Sequence, residues 1–279
     1  MRADFHIHSN SSDGKLKPAE IIDLAKNKEL KVISVTDHDN IEGSQEMLKL
    51  NGTYGIEIIP GIELSADFHG REIHLLGYFL DFGNVALTEH LKLIKNLRIR
   101  RINKMIDKLK ELGVIISSPD LFEKYSASCS IGRPHLANEI IENGYVKDFQ
   151  TAFHRYLGDG KPAFVKKENL NFEIIIELIR VSGGLSFLAH PGSYFRESAL
   201  VELRRAGIDG VEVYHPSHND NHIKKYKKFV KDNNLLTVGG SDFHGYAEYD
   251  NNNIGRYFIG EDEVFALKEK HKSLKKTIS

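Results

Sequence analysis

Apolar residues along the chain follow two rhythms. In the first 82 residues, short β-branched or aliphatic runs (ADFHI, KVISVTD, IEIIPGIEL) alternate with segments of helical spacing, PAEIIDLAKNKEL and a shorter one near residues 43–51. Such alternation predicts βα units built on parallel strands. The rhythm returns after residue 170, where FEIIIELIRVSG, ESALVELRRAG and HIKKYKKFVKDNN read as helices, and GLSFLAHP, DGVEVYHP and LLTVGGSDFHG as strands. Between them, from about residue 83 to 168, strand patterns largely stop. There LTEHLKLIKNLRIRRINKMIDKLKELG sets Leu91, Ile94, Leu97, Ile102, Met105, Ile106 and Leu109 at helical spacing and closes on Gly113. The pattern predicts an α/β core from residues 1–82 and 169–279, barrel-like, with a helical insertion at 83–168 packed on it.

Composition narrows the function classes. With 279 residues and 41% hydrophobic content, the chain can bury a large core as one domain carrying an insertion. A net charge of −1 provides no global basic field for long nucleic acid, although a short polyanion can bind locally. The N-terminus runs straight into a strand pattern and no apolar run approaches membrane-spanning length, so the expectation is a cytoplasmic protein without a membrane partner. One cysteine, Cys129, excludes an internal disulfide framework and a cysteine-rich zinc site. Nothing near it supplies a paired base, so it reads as a small residue in a loop or helix start rather than a nucleophile. The RIRR run at 98–101 reads as a solvated helix face rather than as a phosphate contact, and the C-terminal KEKHKSLKK, including His271, as a solvated face too. His69, His90, His154, His218 and His222 read as loop or helix-surface residues.

The candidate chemistry gathers at strand ends. His6 and His8 are two apart, so a strand projects both to one side. Asp37, His38 and Asp39 follow the second strand, Glu63 the third, and His74 lies in REIHLLGYF. After the insertion come His190 in LAHPG, His215 in VYHPSH, and Asp242 with His244 in GGSDFHG. In parallel α/β folds these ends form the active face, and burying imidazoles and carboxylates there is costly unless ions compensate them. Their ligand types suit Zn²⁺, Mn²⁺ and Fe²⁺ alike.

HIHSNSSDG, TDHDNIEG, PGIELSA, EIHLLGY, LAHPG, GVEVYHPSH and GSDFHG, in that order, resemble the PHP (polymerase and histidinol phosphatase) family of metal-dependent phosphoesterases. The resemblance implies a distorted (β/α)7 barrel of PHP type and a site for two or three divalent ions. It implies one ion held by His6, His8, Glu63 and Asp242, a second by Glu63, His74 and His190 with Glu63 bridging, and a third by Asp13, His38 and His244. Asp37 and Asp39 then read as partners that orient ligand imidazoles, or, for Asp39, equally as the cap of the following helix. His215 falls outside the three sets and reads as a substrate contact or ligand-orienting residue, or as structural.

Divalent ions suit phosphate ester hydrolysis without a nucleophilic side chain, so the lack of a GxSxG elbow is no objection. In the insertion, CSIGRPHLAN presents Arg133 and His135, residue types that grip a phosphate or protonate a leaving oxygen, with helix capping or a surface place as the alternative for His135. The IGRPHLA and GDGKPAFV segments resemble the PHP branch containing 3′,5′-nucleoside bisphosphate phosphatases, with Phe164 where an aromatic is usual. That branch implies removal of a 3′-phosphate from a nucleoside bisphosphate, with trimming of short RNA from the 5′ end in some members. Histidinol phosphate hydrolysis is the alternative within enzymes, and a non-catalytic metal-binding regulatory module the alternative outside them.

Overall fold

The computed structural model describes residues 1–125, 130–246 and 248–278; Cys129 lies outside them. The first half runs β1 (Ala3–Ile7), α1 (Pro18–Asn27), β2 (Val32–Val35), α2 (Glu42–Leu48), β3 (Glu57–Ile58), β4 (Gly61–Phe68) and β5 (Arg71–Tyr78). Helices follow: α3 (Val85–Glu111), α4 (Ser118–Lys124), α5 (Arg133–Glu142) and α6 (Phe149–Ala152). The second half runs α7 (Phe172–Val181), β6 (Leu185–Leu188), α8 (Glu197–Arg205), β7 (Gly210–Tyr214), α9 (Asp220–Asp232), β8 (Leu236–Gly239), α10 (Glu248–Asn253) and α11 (Glu261–Ile278).

The strands form two sheets, β1-β2-β3 and β4-β5-β6-β7-β8. IEIIPGIEL, expected as one strand, is two. Pro60 has no N–H to donate, and β3 and β4 part on either side of it into different sheets. The parallel expectation holds for β1-β2-β3 and β6-β7-β8, but β5 runs antiparallel to both β4 and β6. The cause is a two-residue turn in which His69 (φ +52°) and Gly70 (φ +85°) both take positive φ, the geometry that folds a strand directly back on itself. This turn puts His74 opposite Ser65, within reach of Glu63.

Two seams bring the sheets together where the ligands lie. The Asp242 N–H donates to the His6 carbonyl and the His8 N–H to the Phe243 carbonyl, both at 2.9 Å, joining β1 to the chain leaving β8. The Asp39 N–H donates to the Glu63 carbonyl at 2.8 Å, joining the chain after β2 to β4. Gly240 permits the first seam, since a Cβ there would stand 2.4 Å from the His6 nitrogen.

Beneath the seams, Phe5, Leu76, Tyr78, Phe187, Val238 and Leu267 share one apolar cluster, and the Tyr78 hydroxyl donates to the Phe5 carbonyl at 2.7 Å. The helices of 83–168 bury a cluster of their own, with Ile102, Met105, Leu109, Leu136, Ile140 and Leu157 at its centre.

Several residues expected at the surface are inside. Arg98 continues the inner stripe of α3 between Ile94 and Ile102 and is buried with its guanidinium on the Asp39 carboxylate. Of its neighbours, Arg100 is exposed and Arg101 is half-buried. His271 follows Val264 and Leu267 on the packed face of α11 and stacks on Phe79 at 4.7 Å between ring centroids. His90 is buried in α3 and His218 beside the site. For Arg98, His90 and His271 helical periodicity carries the residue onto the covered side, whereas His218, outside any helix, is held inside by bonds to the Val213 carbonyl and the Gly192 N–H.

Candidate metal centre

All nine ligand candidates converge. Glu63, fully buried in β4, has five imidazoles around its carboxylate. His190 Nε2 lies 2.9 Å and His74 Nδ1 3.0 Å from Oε1; His38 Nδ1 lies 3.0 Å from Oε2, and His6 and His8 Nε2 each 3.3 Å from it. Asp242 Oδ1 stands 3.1 Å from His8 Nε2 and 3.3 Å from His6 Nε2. Asp13 Oδ1 stands 3.3 Å from His244 Nε2. Four overlapping groups could each hold an ion: His6, His8 and Asp242; His6, Glu63 and His190; His38, Glu63 and His74; and His8, Asp13, His38 and His244.

The lone pairs fit divalent ions. His6 donates through Nδ1 to Glu212 Oε1 at 2.9 Å, which leaves Nε2 to face the cluster, 3.1 Å from His8 Nε2. Two imidazole nitrogens meeting head-on can share at most one proton. His38 Nδ1, His74 Nδ1 and Glu63 Oε2 lie in one group, and His8 Nδ1 faces Asp13 at 3.7 Å; all four atoms are buried, yet none forms a hydrogen bond. Buried polar atoms rarely stay unsatisfied, so converging orphans of ligand type mark places where cations complete the set.

Charge supports the same reading. Burial alone would raise the Glu63 pKa, but His38, His74 and His6 outweigh it and hold the carboxyl well below its usual range; His38 and His244 do the same to Asp13. Burial, with His244 and His38 alongside, pushes the His8 imidazole down to about 4, keeping it neutral.

The surroundings fix these ligands from behind. Asp37 accepts from the Ser9 N–H (2.8 Å), Ser9 Oγ (2.6 Å) and Ser12 Oγ (2.5 Å), shaping the loop that carries Asp13. Glu212, unselected in the sequence, accepts from His6 Nδ1 and, at 2.6 Å, from the His190 N–H. Its only signal was an acid inside the apolar run GVEVY. The His218 Nε2 accepts from the Gly192 N–H at 3.0 Å and so holds the turn after His190. His215 reaches Asp242 Oδ2 at 3.2 Å and Ser217 Oγ at 2.8 Å and belongs to none of the four groups.

The PHP domain family profile matches residues 4–235. The chain belongs to the PHP family. Two curated relatives match nearly end to end: a 5′-3′ exoribonuclease of Haemophilus influenzae, 34% identical over 96% of this chain and 98% of its own, and a 3′,5′-nucleoside bisphosphate phosphatase of Chromobacterium violaceum, 32% identical over 88% of each. Among solved structures, a Chromobacterium violaceum amidohydrolase with bound sulfate superposes with a TM-score of 0.82 at 29% identity, covering 92% of this chain and 91% of that one. A metal-dependent phosphoesterase candidate from Bifidobacterium adolescentis superposes at 0.87 with 23% identity, covering 95% and 94%, and shows the shared fold. This PHP chain is a metal-dependent hydrolase of phosphate esters with the α/β fold of PHP type. Among its described residues, no helix is long and apolar enough to cross a membrane.

A cavity of about 210 Å³ opens over Asp13, His38 and His74 of the PHP site and is walled by Arg98, Arg101 and Arg133 with Lys167. Arg98 is committed to Asp39, and Lys167 lies 3.4 Å from Glu72. Arg133 pairs with the largely exposed Asp159 at 2.6 Å and faces the rings of Phe153 and Phe164. Arg101 has no carboxylate at ion-pair distance among the described residues; its Nε donates to the Val165 carbonyl at 2.8 Å. Burial and the neighbouring Arg133 push its pKa down to about 10, which leaves it charged at neutral pH. His135, read in the sequence either as a phosphate or leaving-oxygen contact or as a helix cap, is buried with both ring nitrogens engaged: its Nδ1 accepts from the Gly132 N–H at the start of α5 and its Nε2 donates to the Ser12 carbonyl, both at 3.0 Å.

Proposed function

We propose that this phosphoesterase removes the 3′-phosphate from nucleoside 3′,5′-bisphosphates, leaving the 5′-monophosphate. The observation that carries this reading is a cationic wall beside a ligand cluster: one phosphate at the cluster, the other against Arg101 and Arg133. We assign the ions to His6, His8, Glu63 and Asp242; to Glu63, His74 and His190; and to Asp13, His38 and His244, with Mn²⁺, Fe²⁺ or Zn²⁺ suited to each. Divalent ions there supply Lewis acidity toward phosphoryl oxygens and lower the pKa of a water toward neutrality. Glu63 and Asp242 keep the neighbouring imidazoles aimed inward, while Glu212 fixes His6 in the tautomer whose bare Nε2 faces the ion site. His215 orients Asp242. Arg133, held between Phe153 and Phe164, directs its guanidinium at the 5′-phosphate, and His135 fixes the start of α5 to the Asp13 loop. We read residues 83–168 as the lid domain over a core of 1–82 and 169–279, and the two hydrogen-bonded seams as the closure of a distorted (β/α)7 barrel.

The same wall repels the cationic end of histidinol phosphate. A phosphate-release panel with each metal supplied tests the assignment: a 3′,5′-bisphosphate is expected to be preferred over 5′-monophosphates, histidinol phosphate and p-nitrophenyl phosphate. A charge-assisted phosphate contact is worth about 1.5–3 kcal/mol, or roughly one to two orders of magnitude in rate. Arg101→Ala and Arg133→Ala are expected to lose that much in kcat/KM on the bisphosphate and little on p-nitrophenyl phosphate. Equal losses on both esters would move the two arginines to the reacting phosphate or the fold.

A further inference from the structure

A smaller cavity adjoins the one over the ligand cluster. Of about 50 Å³, it lies between α3 and the segment before α7 and touches none of the nine ligand residues. Arg98, Arg101 and Lys167 wall both cavities, and Arg100, Lys104 and Lys166 complete the smaller one, where Glu168 is the one acid among the described walls. Arg98 is committed to Asp39, and Lys167 stands 3.4 Å from Glu72 and 3.7 Å from Asp39. The other four cations have no carboxylate at ion-pair distance among the described residues. Arg101 and Lys166 donate instead to neutral acceptors, the Val165 carbonyl at 2.8 Å and the Gly70 carbonyl at 3.0 Å, which leave their charge uncompensated. Burial and the neighbouring Arg98 push the Lys167 pKa below its ordinary value, a mark of cationic crowding. An anion relieves such crowding, and the chain's net charge of −1 shows that it is local. Size selects the anion: a water takes about 10–15 Å³ of cavity, so this one admits on the order of four oxygens, a tetrahedral oxyanion and not a nucleoside.

We propose that this smaller cavity binds inorganic phosphate, the product of phosphate ester hydrolysis, and that phosphate held there restrains turnover by competing for Arg101. The restraint rests on the reading in which Arg101 contacts the 5′-phosphate of a bisphosphate; the site itself does not. Carboxylates fix Arg98 and Lys167, whereas Arg101 is tied to a carbonyl through Nε, and the rest of its guanidinium can grip an oxyanion in either cavity. It cannot grip two fully at once, so each anion weakens the other, and the coupling is reciprocal. A small ester without a second phosphate makes no use of Arg101 and escapes this effect, although free phosphate still competes with it at the ligand cluster. Accumulating product therefore slows the bisphosphate reaction first.

Binding and inhibition test the two clauses separately, with chloride holding ionic strength constant throughout. Inorganic phosphate is titrated by calorimetry into chelated protein. Arg100 and Lys104 are exposed, so removing either is expected to weaken binding about threefold, and removing both about tenfold. Lys110→Ala, exposed on α3 away from the cavity, is expected to leave binding unchanged. With metal, phosphate is expected to inhibit adenosine 3′,5′-bisphosphate hydrolysis at about tenfold lower concentration than p-nitrophenyl phosphate hydrolysis. The Arg100→Ala, Lys104→Ala double variant is expected to bring the two inhibition constants together, with turnover in the absence of phosphate within about twofold of wild type. Binding that ignores Arg100 and Lys104, or that Lys110→Ala weakens equally, overturns the site. Binding that depends on Arg100 and Lys104, with equal inhibition of the two esters in wild type, upholds the site and overturns the competition for Arg101. The same binding in a protein inert toward the bisphosphate upholds the site and overturns the bisphosphate reading.

Discussion

Glu212 illustrates how one buried carboxylate sets two ligands. Its oxygens accept separately from His6 Nδ1 and the His190 N–H, so an amide in its place must present a donor to one of them. Glu212→Gln is expected to weaken metal binding about ten- to a hundredfold, measured by titration against a chelating dye, with the far-UV circular dichroism unchanged. Wild-type affinity in that variant would make Glu212 merely a satisfied core acid. At the same scale, His74 and His244 yield a pH dependence. Burial opposes their protonation, but Glu63 beside the first and Asp13 beside the second raise both to about 10 without metal. A raised imidazole stabilises the metal-free fold fully below its ordinary value of 6.5, and that contribution fades as pH rises through about 10. Metal must displace those protons, so its apparent affinity climbs over the same window. Melting temperatures across this window should fall for chelated protein, while the gap to the metal-loaded form widens. A constant gap would mean that these imidazoles are neutral before metal arrives.

At the scale of elements, α3 is bound to the core by charge as well as by packing. Arg98 and Asp39 are both buried, and Asp39 also accepts from the Ser65 N–H at 2.8 Å. Removing one partner of such a pair strands the other, at a cost of about 3–5 kcal/mol. Arg98→Ala should lower stability by about that much in denaturant unfolding, and adding Asp39→Asn should restore part of it; no recovery would locate the loss in packing alone. Arg98 was hidden in the sequence because a basic run usually marks a wet helix face, although Ile94 and Ile102, one turn to either side, already placed it on the apolar stripe. The reversal of β5 was hidden for a different reason. Asn-Gly and Asp-Gly turns announce a hairpin, whereas His69 reaches positive φ only because Gly70 and the strand register hold it there. His6 and His8 were legible because a strand's two-residue period needs no tertiary information. Lys167 was not, and Arg101 was seen only as one of a basic run weighed and set aside as a phosphate contact, since only folding brings residues of α3 and of the segment before α7 to the same cavity.

For the whole molecule, the insertion is tied to the ligand loops at two separated points, Arg98 on Asp39 and His135 on the Ser12 carbonyl. One tie is next to His38 and the other next to Asp13. A hinged door must release its latches each time it swings, and here both latches are buried beside the residues that assemble the centre. Lifting the insertion would therefore dismantle the catalyst it covers. On the reading of residues 83–168 as a lid, that lid is a fixed roof: substrate and product pass beneath it, through the cavity walled by Arg101 and Arg133, while the ligand set stays assembled between turnovers.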